Sequence, residues 1–332
     1  MDPVAVATPL IDIDSTTGRE GEAGRWLAGF LHDQRFSVTT QAVDGDRFNV
    51  LATAGPPSVV LSTHFDCVPP FFPSRIEGDR LYGRGSCDAK GILAAQIAAV
   101  DELRRQGETR VGLLFVVGEE RGSDGARIAN GAKAASSCRF LVNGEPTDNR
   151  LGAATRGILR VKLRATGRAS HSSYPELGES AIDKLVDALV ALRGLTLPSD
   201  PRLGVTHYSI GLISGGVAPN VISPSAEAEV MFRTVGDAGE VRRAIQSLER
   251  SVAIDHVLDV PPVRLTTVPG FETAVFPYTT DIPFLSGWGQ PLLFGPGSVH
   301  AAHTADESVS IAELRAAAGH YSTLAQALLR EP

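Results

Sequence analysis

Gly55-Pro56-Pro57-Ser58-Val59-Val60-Leu61-Ser62-Thr63-His64-Phe65-Asp66, residues 55–66, is the stretch on which the fold turns. Gly-Pro-Pro interrupts any regular element before it. The run Ser58–Ser62 that follows is apolar, too short for a helix, and reads as a strand buried on both faces. Such strands belong to parallel sheets covered by helices. Two more runs of the same kind follow, Val111–Val117 and Phe140–Val142. Helices are expected over Gly21–His32, where Trp26, Leu27, Phe30 and Leu31 recur at helical spacing, and over Ala89–Arg105, rich in alanine and leucine. Buried strands alternating with helices predict an α/β domain on a mostly parallel sheet. Ligands of such sheets gather at the carboxyl ends of the strands. His64 and Asp66 end the first run, Glu119 and Glu120 the second, and Glu145 the third.

From Gly157 the pattern changes. Ile158–Ala165 alternates Leu159, Val161 and Leu163 with Arg160, Lys162 and Arg164, as a half-exposed strand does. A helix over Ser180–Leu192 and strands over His207–Ile213 and Ala226–Phe232 complete a small α+β insertion. His303, a further ligand-type residue, lies beyond it, so the chain is expected to return to the first domain near Pro269. The division expected is a discontinuous catalytic domain, 1–155 and 266–332, with residues 156–265 inserted.

A chain of 332 residues, 43% hydrophobic and 21% charged, has the length and composition of one large or two medium globular domains. The net charge of −7 argues against nucleic acid or an anionic membrane as partner. No stretch reaches the ~20 apolar residues of a membrane span. MDPVAVATPLIDID carries acids where a signal peptide needs bases, and the three cysteines show no CxxC pairing. A cytoplasmic, reducing compartment is the expectation.

The chemistry lies in scattered motifs: STHFD, GRGSCDAKG, VVGEERGS, VNGEPTD and GPGSVHAAHTADE. They supply two histidines and four carboxylates: His64, Asp88, Glu119, Glu120, Glu145 and His303. A bridging carboxylate, two outer ligands for each of two divalent ions and one spare carboxylate as base would use all six, which points to metal-assisted hydrolysis. Each motif alone has an ordinary reading. HxD reads as a surface turn, Asp88 as a helix N-cap, Glu119-Glu120 as a solvated acidic turn, and NGEPTD as a plain turn. His300 competes with His303. Asp66, two residues from His64 and so on the same face of a strand, could accept the other ring N–H of a ligand histidine. His171, in GRASHSSYPELGESAID, could hold charge on a reacting oxyanion, and Asn220 and Arg233 could grip substrate oxygens, with Arg156 weaker. Cys87 has no histidine context and reads as packing. GRGSCDAKG lacks the ending of a phosphate-binding loop.

Taken together and in order, these motifs resemble the co-catalytic zinc aminoacylase/carboxypeptidase family, over nearly the whole chain from LIDIDSTTGREGE to ADESVSI. GEPT at Gly144–Thr147, HSSYP at His171–Pro175 and GPGSVHAAHTADE at Gly295–Glu307 look most like its acetylornithine deacetylase branch. The resemblance implies a di-zinc exopeptidase-like catalytic domain with a ferredoxin-like lid and dimerisation domain. It implies two Zn2+, with Co2+ or Mn2+ as substitutes. Asp88 would bridge, His64 and Glu145 complete one site, Glu120 and His303 the other. Glu119 would be the general base, Asp66 would support His64, and the Asp88–Ala89 peptide would be cis. His171 would act across a homodimer, while Asn220, Arg233 and Gly297 would contact substrate. The activity implied is hydrolysis of the amide bond of an N-acyl amino acid, in arginine biosynthesis. A carboxypeptidase or dipeptidase, or a succinyl-diaminopimelate desuccinylase, is the alternative, and a non-catalytic binding protein the remotest. The chain departs from the family pattern at Ala89, at Ala169-Ser170 before His171, and at Arg121.

Overall fold

The computed structural model describes residues 1–331, which divide into two compact units. The first comprises Met1–Ala153, Leu265–Ala274 and the chain from Thr280 onward; the second comprises Ala154–Arg264 and Val275–Thr279. The expected single return at residue 266 falls at Leu265, and the further excursion Val275–Thr279 carries no mark in the sequence.

The first unit opens with α1 (Pro3–Ile11) and α2 (Gly21–Asp33). A hairpin, β1 (Ser37–Asp44) and β2 (Arg47–Thr53), follows. Then come β3 (Val59–His64), α3 (Lys90–Arg105), β4 (Val111–Val116), the short α4 (Asp124–Ala129) and β5 (Phe140–Asn143). All residues of β3, β4 and β5 are buried, as their apolar runs require. The six-stranded sheet runs β1-β2-β4-β3-β5 and ends on a late strand, Gln290–Leu293. The centre is parallel: β3 pairs in parallel with β4 and β5, and β5 with Gln290–Leu293. The β1–β2 and β2–β4 pairings are antiparallel, so the sheet is mixed at one edge. One face, with Leu61, Leu113, Phe115 and Val142, packs on α1, α3 and the C-terminal helix Ile311–Arg330. The other, with Val60, Leu114, Val116 and Leu141, packs on α4 and Trp288. The expected start of α3 at Ala89 moves to Lys90, because Ala89 is its N-cap, at φ −136°.

The second unit is a four-stranded antiparallel sheet. Its elements are β6 (Gly157–Thr166), α5 (Ala181–Arg193), β7 (His207–Gly215), β8 (Ser225–Thr234), α6 (Ala238–Ile245) and β9 (Ala253–Val260). The order β7-β8-β6-β9 with βαββαβ connectivity is the ferredoxin-like arrangement. Leu159, Val161, Leu163 and Ala165 of β6 and Ala226, Ala228, Val230 and Phe232 of β8 point into a core closed by Leu185, Leu192, Val241 and Ile245. The period-two alternation in β6 is the sequence cause of this one-sided sheet. Among the described residues, no helix is long and apolar enough to cross a membrane.

Candidate metal centre

The sequence ends β3 on His64, at the carboxyl edge of the parallel strands. Its Nδ1 faces the Asp66 backbone carbonyl at 3.0 Å and the Asp66 carboxylate at 3.4 Å, while Nε2 lies 3.0 Å from Asp88 Oδ1. With Nδ1 donating to Asp66, Nε2 is the nitrogen offered outward. The Asp66 carboxylate has a larger task than its expected support of His64. It accepts the backbone N–H groups of Glu119 (3.1 Å) and Glu120 (3.2 Å) and the hydroxyl of Thr17 (2.9 Å). A buried acid at the end of β3 thus orders the acidic turn after β4.

Asp88 follows a glycine-rich turn and precedes α3; the Asp88–Ala89 peptide is cis. Its two oxygens face different imidazoles, Oδ1 that of His64 and Oδ2 that of His303 at 3.3 Å. His303 Nε2 is also 3.0 Å from Glu120 Oε1. His303 holds a left-handed backbone, φ +64°, uncommon for a side-chain-bearing residue though histidine is among those enriched there. His300 is not part of the cluster. Ligand atoms of His64, Asp88 and Glu120 all lie within 4.8 Å of one another. Around an ion bound at ~2.1 Å, ligand atoms stand roughly 3–4 Å apart, so the spacing suits a cation. Glu145, just past β5, is 5% exposed, and its Oε1 has no hydrogen-bond partner among the described residues. Such an orphaned buried carboxylate oxygen costs free energy unless a cation or proton meets it. The donor set of imidazole nitrogens and carboxylates, together with that orphan, fits divalent cations.

Charge in the cluster is polarised. Burial opposes the His64 imidazolium, yet hydrogen bonds to Asp66 and Asp88 raise its pKa well above the usual range. Hydrogen bonds donated by its ring to the Asp88 and Glu120 carboxylates push His303 up to about 10 against its burial. Burial works against the Asp88 carboxylate, but His303 and His64 hold its pKa well below the ordinary value. Glu119, Glu120 and Glu145 are raised, in each case first by burial. Glu119 is opposed by His64 and raised further by Asp281, Glu120 and Asp88. Unlike Glu120, which meets His303, its carboxylate has no imidazole in hydrogen-bond contact among the described residues, so it stands apart from the histidine-bridged set.

Gly297 sits at φ +83° with Cys87 Sγ 2.6 Å from where a Cβ would be, so only glycine fits. Its N–H is donated to Glu313 Oε1 at 2.7 Å, so the amide is not open to a substrate oxygen. His171, Asn220 and Arg233 belong to the second unit. His171 and Asn220 are exposed on adjoining loops, with the Ser172 N–H donating to the Asn220 carbonyl at 3.0 Å. Arg233 is partly buried at the end of β8. Arg156 is tied to the Leu203 and Val205 carbonyls and His207, a local structural role. Cys87 is buried. Two further acids stand near the centre, Asp281 with no signal in the sequence and Glu307 inside the GPGSVHAAHTADE motif but not marked there as a site residue. Asp281 is buried within electrostatic reach of His64 and Asp66. Glu307, four residues after His303, is fully buried beside Asp88.

Residues 60–327 match the family model described as Peptidase family M20/M25/M40. A probable carboxypeptidase of Aspergillus terreus is 38% identical over 96% of this chain and 85% of its own length. The fold is shared with a solved tripeptidase of Staphylococcus aureus (TM-score 0.82, 18% identity, 99% of this chain and 97% of that one). It is shared too with an M20 family metallo-carboxypeptidase of Sulfolobus solfataricus (TM-score 0.79, 16% identity, 99% of both chains).

Proposed function

The chain belongs to peptidase family M20/M25/M40 and is a hydrolase of C–N bonds, and from that premise we propose that it is a carboxypeptidase-type exopeptidase working with a pair of divalent cations. The observation that carries this is the Asp88 carboxylate, with one oxygen toward His64 and the other toward His303. A carboxylate shared in this way is what a bridge between two cations requires. His64 and Glu145 would hold one ion, Glu120 and His303 the other, with Asp88 common to both. When bound, such ions supply polarisation of the scissile carbonyl and a lower pKa for water. Zinc suits the nitrogen and oxygen donors, and cobalt or manganese can replace it.

The chain's own residues do the rest. Glu119, beside the cluster and unclaimed by a histidine, takes a proton from the attacking water and hands it to the departing amine nitrogen. Asp66 holds the backbone of Glu119 and its neighbour, so that the base and the ligand Glu120 keep fixed directions. The burial of His64, Asp88 and Glu145 keeps competing water from the ligand atoms. The name of the Aspergillus relative favours a substrate with a free C-terminal carboxylate. N-acyl amino acids carry the same amide and the same carboxylate. HSSYP at His171–Pro175 supports them as a second reading, in which the protein is a deacylase.

The test is release of free amino acid from dipeptides, tripeptides and N-acetyl amino acids by zinc- or cobalt-loaded protein, with a chelated control and a Glu119→Gln control. Chelator-sensitive peptide cleavage, reduced by about 10²–10⁴ in kcat by Glu119→Gln, is expected. Cleavage confined to N-acetyl amino acids would move the assignment to the deacylase. Activity indifferent to chelation, or near-normal turnover by Glu119→Gln, would refute the mechanism.

A further inference from the structure

Glu307 has no role in the chemistry above, yet its carboxylate accepts four hydrogen bonds beside Asp88. It is 0% exposed. Its Oε1 accepts three backbone N–H groups, from Gly85 (3.0 Å), Cys87 (3.1 Å) and Asp88 (3.0 Å). Its Oε2 accepts from Arg84 Nη1 at 2.6 Å, and Arg84 is itself 2% exposed. The backbone carbonyl of Glu307 accepts the Gly83 N–H at 3.1 Å, and Ser308–Ser310 pairs antiparallel with Arg80–Tyr82. One short segment therefore grips residues 80–88 by side chain and main chain together.

The turn is shaped for this grip. Gly85 is at φ +87°, and a Cβ there would lie 2.6 Å from Cys67 Sγ, so the residue whose amide points into the carboxylate must be glycine. Four donors on one carboxylate leave it no oxygen to spare for a cation, so Glu307 is not itself a ligand. What it holds is the peptide that carries Asp88. Four residues earlier the same segment supplies His303, which meets the Asp88 carboxylate from the other side at 3.3 Å.

We propose that Glu307 is a positioning residue: it fixes Asp88 at a set distance from His303, and so sets how tightly and in what geometry the cation pair is held. This rests on the reading of the cluster as a two-cation centre. Ligand carboxylates and histidines lose affinity by about 10–100-fold when the groups that orient them are removed. An ordinary buried ion pair with Arg84 would make a different signature, with lower stability but an unaltered cation site.

The experiment is titration of metal-free protein with cobalt(II), followed by visible absorption and by competition with a chelator of known affinity. It is run on wild type, Glu307→Ala and Glu307→Gln, with the thermal midpoint of each metal-free protein measured alongside. Wild type is expected to take up two cobalt ions per chain. Glu307→Ala is expected to bind about 10–100-fold more weakly, with a changed absorption spectrum. Glu307→Gln, which keeps one acceptor oxygen for the three N–H groups, should recover part of the loss. If the alanine variant does not fold, the glutamine variant carries the test through its spectrum and affinity. Wild-type affinity and spectrum in a folded variant, even with a lowered midpoint, would overturn the proposal and leave Glu307 a structural ion-pair partner. Wild type that binds no cobalt would instead overturn the two-cation reading itself.

Discussion

Asp281 brings a carboxylate into the interior of the first unit and finds no hydrogen-bond partner of good geometry for either oxygen among the described residues. Burial pushes the carboxyl up to about 7, with the nearby Ser123 hydroxyl and His64 pulling the other way and Asp66 adding to the rise. The unfolded chain releases this proton near 3.8, whereas the folded chain holds it to about 7. Between those values the native state binds more protons than the unfolded state, so stability falls as pH rises, and the loss is complete above 7. A tenfold change in proton affinity is worth about 1.4 kcal/mol, so the cost at pH 8 is on the order of a few kcal/mol. Asp281→Asn, isosteric and never charged, should raise the thermal midpoint of metal-free protein at pH 8 and leave it nearly unchanged at pH 4. A gain of equal size at both pH values would show that the carboxylate is not held protonated.

Among the elements, β2 and α2 are joined by a buried ion pair that also reaches the acidic turn. Arg47, first residue of β2, places Nε and Nη2 on Glu20 at 3.0 and 2.9 Å, and Glu20 immediately precedes α2. Glu20 is 0% exposed and Arg47 8%. A Cβ on Gly118 would lie 2.7 Å from Arg47 Nη2, so the guanidinium packs against the residue before Glu119. Arg47→Met should destabilise by about 3–5 kcal/mol, because it strands the Glu20 charge, whereas Arg47→Met with Glu20→Met should cost far less. Urea unfolding of the single and double variants decides it; equal losses would mean that Glu20 is not left uncompensated. The same region shows where sequence reading stops. β3, β4 and β5 are legible because strands covered on both faces leave unbroken apolar runs. β1 and β2 are not, because Thr39, Thr40 and Gln41 stand on an exposed edge with no clean period. α6 and β9 are hidden for a related reason: AGEVRRAI is short and charged, and AIDHVLDV mixes acids into a half-exposed strand. At the centre, His64, Glu119, Glu120 and Glu145 are legible because parallel strands deliver side chains at their carboxyl ends. Glu307 closes the quoted GPGSVHAAHTADE motif, but its role is not legible, because it acts on backbone N–H groups, which leave no residue-type signal, and Asp281 looks like a turn former before Ile282-Pro283.

At the scale of the molecule, every residue assigned to the cations comes from the first unit, though His64 and His303 are far apart in sequence. A pair of ions shared by His64, Asp88, Glu120, Glu145 and His303 would tie together distant connections of that unit: the ends of β3, β4 and β5, the turn before α3, and the loop before Ser308–Ser310. Ligands that bind only the folded state stabilise it by about 4 kcal/mol at a thousandfold excess over Kd. The second unit contributes none of these residues and closes its own core between its sheet, α5 and α6. Chelation should therefore act unevenly along the chain. Hydrogen exchange should accelerate at residues 83–91, 117–123 and 295–307 when the ions are removed, since local opening there no longer breaks metal bonds. The amides of β6 and β8, each paired on both sides within the second sheet, should exchange at the same rate with and without metal. Mass-spectrometric exchange on metal-loaded and chelated protein reads both units in one experiment. Uniform acceleration across both would mean that the cations govern the stability of the whole chain as one cooperative block. No change at residues 83–91 and 295–307 would mean that Asp88 and His303 are held by the protein alone, with Glu307 and the Ser308–Ser310 pairing sufficient to order them.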